Sequence, residues 1–202
     1  MLKVHRVPHS TNVERVALAA ALKGLPVEWI DHDPGDRSGV RAVSGQDLVP
    51  VAELDGGEVV ADSMAIIERL EALAPDPPLY PRDPAAAARV RIFVEWFNRV
   101  WKVAPNAIEA GGDPGQLAAW AAELGGSRAR FEALLAGGSH LAGDGLTAAD
   151  LCAFPFLKWG AVDAAPPDAP RFEHILVEHI ALGDDHPRTR AWIERMDRLP
   201  RA

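Results

Sequence analysis

A small α/β domain followed by an all-α domain is the fold this sequence predicts, on three observations. Residues 2–74 read as β-α-β and then β-β-α, with a polar stretch between the two halves. Five prolines (Pro75, Pro77, Pro78, Pro81 and Pro84) crowd around Tyr80, which is the composition of a linker. From Asp83 onward the apolar residues keep helical spacing. The predicted domains are therefore 1–75 and 85–202, joined by a linker over 76–84.

Leu2 to Val7 alternates apolar and polar side chains and reads as a strand, which Pro8 and His9 end. Ser10-Thr11-Asn12-Val13-Glu14 opens a helix whose inward face is Val13, Val16, Ala17, Ala20 and Ala21. Thr11 and Glu14 have capping-box spacing, so Thr11 is the expected N-cap and Ser10 lies one residue outside it. Lys23-Gly24 is a good helix end, with a cation in the last turn and glycine just beyond. Pro26 to Asp31 gives a second strand, and Arg37 to Asp47 is a weak helix or irregular. If helical, it makes the first domain β-α-β-α-β-β-α.

Leu48 to Leu54 then reads as strand, Asp55-Gly56-Gly57 as turn, and Glu58 to Ala61 as a second strand. A proline near the head of a strand is tolerated because no ladder donor is needed there. The Val49-Pro50 bond is open to the cis form, which would turn the preceding backbone outward to face a ligand. Asp62-Ser63 supplies cap-type side chains where Ile66, Ile67, Leu70 and Leu73 begin an apolar stripe. A helix start with free N–H groups and a positive end is a small anion site.

In the second half, Asp83-Pro84 and Asp113-Pro114 each have the form of an N-cap followed by a first-turn proline. The first of these helices carries Ile92, Phe93, Trp96, Phe97, Val100 and Trp101, too many for one stripe, so two sides should be covered. The second contains Gly125-Gly126, which costs about 2 kcal/mol relative to alanine, and a kink or break is expected there. Thr147 and Asp150 have capping-box spacing, with Leu146 and Leu151 at the two positions of a hydrophobic staple. The last helices carry Phe172, Ile175, Leu176, His179 and Ile180, then Trp192, Ile193 and Met196.

Composition narrows the function. Apolar residues make up 48% and charged residues 25% of 202, which is ordinary for a globular protein. The formal net charge is −8 with no basic run, which argues against nucleic acid and anionic membrane surfaces as partners. The single cysteine, Cys152, excludes an internal disulfide and fits a reducing, cytoplasmic setting. No signal peptide and no run of about 18 apolar residues appear. His174 and His179 are five apart, so they form no helix-face metal pair, and no metal site is expected.

The order of elements, with Val49-Pro50 heading the third strand, Asp62-Ser63 at a helix start and Ala21-Leu22-Lys23-Gly24 closing the first helix, resembles the soluble glutathione transferases. The spacing from Ser10 to Gly24 is similar to that of the zeta and tau classes, where a serine acts on the thiol. Gly143-Asp144 through Thr147 and Asp150 resembles the folding signature of that family's buried helix, and Trp192-Ile193-Glu194-Arg195-Met196 its closing helix. The resemblance implies a thioredoxin-like N-terminal domain and an all-helical C-terminal domain. It implies glutathione as co-substrate with no other cofactor, a small electrophile, and a homodimer.

Carried over residue by residue, the resemblance makes Ser10 the donor to sulfur, with Asn12 and Thr11 as alternatives. The plain alternative is that Ser10 only satisfies an amide at the helix start. Ser63 would take the α-carboxylate of the γ-glutamyl group and Asp62 its ammonium, while Val49, beside Pro50, would pair with the cysteinyl backbone. The usual lysine or glutamine for the glycyl carboxylate is replaced by Asp47 and Leu48, so Gln46, Arg41 or Arg15 must substitute. Trp96, Phe97, Trp101 and Trp159 are candidates for the apolar wall of the second-substrate site, or are plain core. The expected activity is attack of the thiolate on a small electrophile, by conjugation or by cis–trans isomerisation. A non-catalytic binding module of the same fold, or an enzyme using another small thiol, is the rival reading.

Overall fold

The computed structural model describes residues 2–202. The chain divides into two compact units, Met1–Leu79 with Leu199–Ala202, and Tyr80–Arg198. Among the described residues the first unit runs β1 (Leu2–Arg6), α1 (Thr11–Leu22), β2 (Val27–Asp31), α2 (Ser38–Ser44), β3 (Val51–Glu53), β4 (Val59–Ala61) and α3 (Ser63–Leu73). Its sheet has the order β2-β1-β3-β4, with β1 parallel to β2 and antiparallel to β3. β3 pairs antiparallel with β4.

The polar stretch settles as the short helix α2, ended by Gly45 at φ 75°, a left-handed position that glycine adopts without strain. The two hairpin strands are shorter than the sequence pattern suggests. Pro50 has no N–H for the ladder, so pairing starts at Val51. Leu48, at 78% exposure, lies outside the strand, with its backbone N–H and carbonyl both bonded to the Gln46 side chain. The Val49-Pro50 bond is cis.

α1 starts one residue earlier than its capping-box spacing predicts. Ser10, not Thr11, is the N-cap, and its Oγ accepts the Val13 N–H at 3.4 Å. Thr11 becomes the first helical residue and is buried. At the other end Lys23 is not a surface cation facing the dipole. It is buried, and its Nζ bonds the Glu71 carboxylate and the Pro77 carbonyl, tying the start of the proline-rich segment to α1 and α3. The chain's last residues return to this unit, where Ala202 bonds Ala17 N–H to O and accepts from Trp29 Nε1. Across the sheet, His5 bonds Glu53 and His32 at 2.8 Å each.

The second unit contains α4 (Pro84–Trp96), a π turn (Phe97–Trp101), α5 (Val103–Ala110), α6 (Pro114–Leu134), α7 (Ala148–Leu157), α8 (Arg171–Ile180) and α9 (Pro187–Asp197). Asp83 and Asp113 cap α4 and α6 as expected, accepting from Ala86 and Gln116. The break expected at Gly125-Gly126 is absent, and α6 is continuous. Packing explains it, because a Cβ at Gly125 would sit 3.4 Å from the His179 carbonyl, and the glycine admits α8 to close approach. α7 is buried along its whole length. Asp150, fully buried, accepts from Thr147 N–H and hydroxyl, Leu141 N–H and Trp192 Nε1, all at 2.9–3.0 Å. The capping box is therefore the hub that joins three segments of this unit.

Candidate active site

Strand register brings the candidate residues of the first unit to one end of its sheet. His5 pairs with Val51, and Val51 pairs with Ala61. The chain leaving β1 toward Ser10, the chain entering β3 through Val49-Pro50, and the chain leaving β4 into Asp62-Ser63 therefore meet at one end of the sheet. α1 and α3 pack against each other, so two helix N-termini point their positive ends into the same region.

Two strained residues mark the spot. His9 (φ 64°) and Asp62 (φ 81°) are the non-glycine residues with positive φ among the described residues. One immediately precedes Ser10 and the other immediately precedes Ser63. Such backbone costs about 1–3 kcal/mol each and clusters where a structure holds a ligand.

Asp62 does two things at once. Its Oδ1 takes both cap bonds, from Met64 N–H at 2.8 Å and Ala65 N–H at 3.1 Å. Its residue is exposed, so Oδ2 remains for a cation at the helix start. Ser63 is 2% exposed, and its Oγ accepts from Arg15 Nη1 at 3.2 Å. The same Nη1 donates to Asn12 Oδ1 at 3.0 Å. Ser10 and Asn12 are half-buried, Pro50 is buried and Val49 half-buried.

The loop before Val49 has its own polar pairing. Arg41 bonds Asp47 at 2.8 Å, and that guanidinium holds the Asp47 carboxyl below its ordinary value. Asp47 is therefore paired rather than bare. Of the three substitutes considered, Gln46 clamps Leu48, Arg41 is on Asp47, and Arg15 is engaged by Asn12 and Ser63.

In the helical unit, Phe97 and Trp101 are buried and stacked on each other at 4.4 Å between centroids. Trp101 Nε1 bonds Ser127 Oγ at 2.9 Å, and Phe131 and Phe156 complete the cluster. Their helical spacing is thus used for packing. Trp96 and Trp159 keep partial exposure. Trp96 lines an apolar groove of about 660 Å³ with Ile92, Phe93 and Leu134. No helix of the described residues is long and apolar enough to cross a membrane.

The chain matches known families and relatives over most of its length. Residues 4–78 match the glutathione S-transferase N-terminal domain, and residues 122–200 the glutathione S-transferase C-terminal domain. The maleylacetoacetate isomerase of Mus musculus is 30% identical over 193 residues, covering 86% of this chain and 87% of its own. The chain belongs to the soluble glutathione transferase family. Its first unit is the thioredoxin-like domain of that family and its second the helical domain. The maleylacetoacetate isomerase of Pseudomonas aeruginosa is 39% identical over 97 residues, so the match spans 45% of each chain. A glutathione S-transferase from Rhodospirillum rubrum F11 has the same fold, with TM-score 0.77 and 24% identity over 98% of this chain and 88% of that one.

Arg15, one of three candidates the sequence offers for the glycyl carboxylate, is bonded in the structure to Asn12 and Ser63. No local signal reports its true partner, because Ser63 lies 48 residues away. The caps of α3, α4 and α6 were legible, because a cap is a pattern of four adjacent positions, whereas that of α1 was read one residue late.

Proposed function

We propose that this chain binds glutathione, lowers the pKa of its thiol and presents the thiolate to a small electrophile. The observation that carries this reading is the meeting of the α1 and α3 N-termini, with Ser10, Asp62 and Ser63, beside the Val49-Pro50 entry to β3. A free thiol has a pKa of about 8.5, and a helix N-terminus with a placed donor brings it to about 7.5 or lower. Ser10 accepts one N–H through its Oγ and keeps its own O–H to donate to sulfur. The Ser63 hydroxyl takes the α-carboxylate, Asp62 Oδ2 takes the ammonium, and the Val49 backbone pairs with the cysteinyl unit.

The resemblance to maleylacetoacetate isomerases supports an electrophile of the maleyl keto-acid type. In that reaction the thiolate adds to one carbon of the double bond, and the electron pair moves onto the conjugated carbonyl. Rotation about the resulting single bond follows. Expulsion of the thiolate then restores the double bond in the trans form and returns glutathione unchanged. With an electrophile that carries a leaving group or a simple activated alkene, the same thiolate forms a lasting bond. The protein acts as a cytoplasmic homodimer in this reading: the family resemblance supports the dimer, and the single cysteine, Cys152, fits a reducing compartment.

The test is a pH titration of the thiolate absorbance of bound glutathione, paired with turnover of a maleyl keto acid. The reading expects binding, a bound-thiol pKa at or below about 7.5, and isomerisation that stops when glutathione is withdrawn. Binding without ionisation, or isomerisation independent of glutathione, overturns it.

A further inference from the structure

Arg15 is 1% exposed, and a guanidinium taken out of water is costly unless its donors are used. Here one nitrogen, Nη1, reaches both Asn12 Oδ1 (3.0 Å) and Ser63 Oγ (3.2 Å). Arginine carries only donors. Both oxygens must therefore be accepting. The Ser63 hydroxyl proton then has to point away from Arg15, and the Asn12 carboxamide has to turn its NH2 away from it as well.

We propose that Arg15 is a positioning residue for the anionic end of the ligand. It occupies the acceptor side of Ser63, so that this hydroxyl is preset as a donor, and it adds a fixed positive charge beneath the N-terminus of α3. A hydroxyl that accepts from a cation is polarised and donates more strongly to an anion. The ligand group so recognised is a carboxylate next to an amine, because Asp62 stands at the same helix start. This inference rests on the glutathione reading and assigns the α-carboxylate of the γ-glutamyl group to Ser63 acting through Arg15. It also explains why an acidic chain of net charge −8 can take an anion at this place.

The test compares glutathione with its α-carboxamide analogue, by calorimetric binding and by steady-state kinetics, in the wild type, Arg15→Met, Arg15→Lys, Ser63→Ala and the Arg15→Met/Ser63→Ala double variant. Arg15→Met should weaken glutathione at least tenfold and raise KM, with kcat within a few-fold of wild type. The carboxamide should bind wild type and variant alike. The double variant should lose little more than either single one, because the two residues act as a unit. Arg15→Lys should recover part of the loss, a recovery that follows charge rather than shape. Equal weakening of both ligands, or fully additive losses, overturns the proposal. Should Arg15→Met fail to fold, Arg15→Lys and Ser63→Ala carry the same comparison. Wild type that binds neither ligand overturns the glutathione reading and this inference together. Wild type that binds glutathione without the predicted discrimination overturns this inference alone.

Discussion

Ser10 holds one end of a helix and is assigned to a sulfur anion, and a substitution separates the two duties. Its cap bond to Val13 is long at 3.4 Å, so Ser10→Ala should cost the fold only about 0.5 kcal/mol in chemical denaturation. A hydrogen bond to a charged group contributes about 1.5–3 kcal/mol. With about 1.4 kcal/mol per pKa unit, the bound thiol should rise by about 1–2 units, seen in its thiolate absorbance. Turnover at neutral pH should fall in step. If Ser10→Ala leaves turnover unchanged while Asn12→Ala abolishes it, the donor is Asn12. At this scale the sequence shows what is local. Ser10, Asp62 and Ser63 stand in short cap patterns, whereas the one-residue choice between Ser10 and Thr11 depended on the φ and ψ of the turn before α1.

Helices obey the same division between local pattern and distant neighbour. The pair Gly125-Gly126 looks like a break, yet α6 runs through it because α8 packs there. The two glycines should respond differently. Gly126 has nothing within 4 Å of a Cβ, so Gly126→Ala should stabilise by about 0.5–1 kcal/mol in denaturant unfolding. Gly125→Ala meets the His179 carbonyl at 3.4 Å and should gain little or lose. The capping box of α7 was legible from Thr147 and Asp150, but its reach to Leu141 and Trp192 was not, since both partners are remote in sequence. Asp150→Ala strands those buried donors and should destabilise by about 3–5 kcal/mol, measured by urea unfolding. Glutathione affinity of the protein that remains folded should be unchanged, because this cluster belongs to the helical unit.

For the molecule as a whole, acid stability carries one clear signature. Burial alone would push the Glu132 carboxyl up. The Thr189 backbone N–H and hydroxyl, with the Arg188 N–H, outweigh burial and hold it below its ordinary 4.5. A carboxyl lowered in the folded state adds stability that is present above the ordinary value and lost as pH falls through the lowered one. Glu132→Gln should therefore reduce stability at neutral pH and flatten its decline in acid, followed by thermal melts from pH 7 downward. The order of elements in the first unit was legible, because it rests on periodicity and proline placement. The convergence of three chain segments at one sheet end followed only from the family resemblance, because strand register, which no local pattern reports, fixes it. That convergence is the centre of the account, and the ionisation of glutathione on the protein measures it most directly. A bound thiol with pKa at or below about 7.5 is the expected result, and a thiol that stays near 8.5 on the saturated protein would contradict the proposed site.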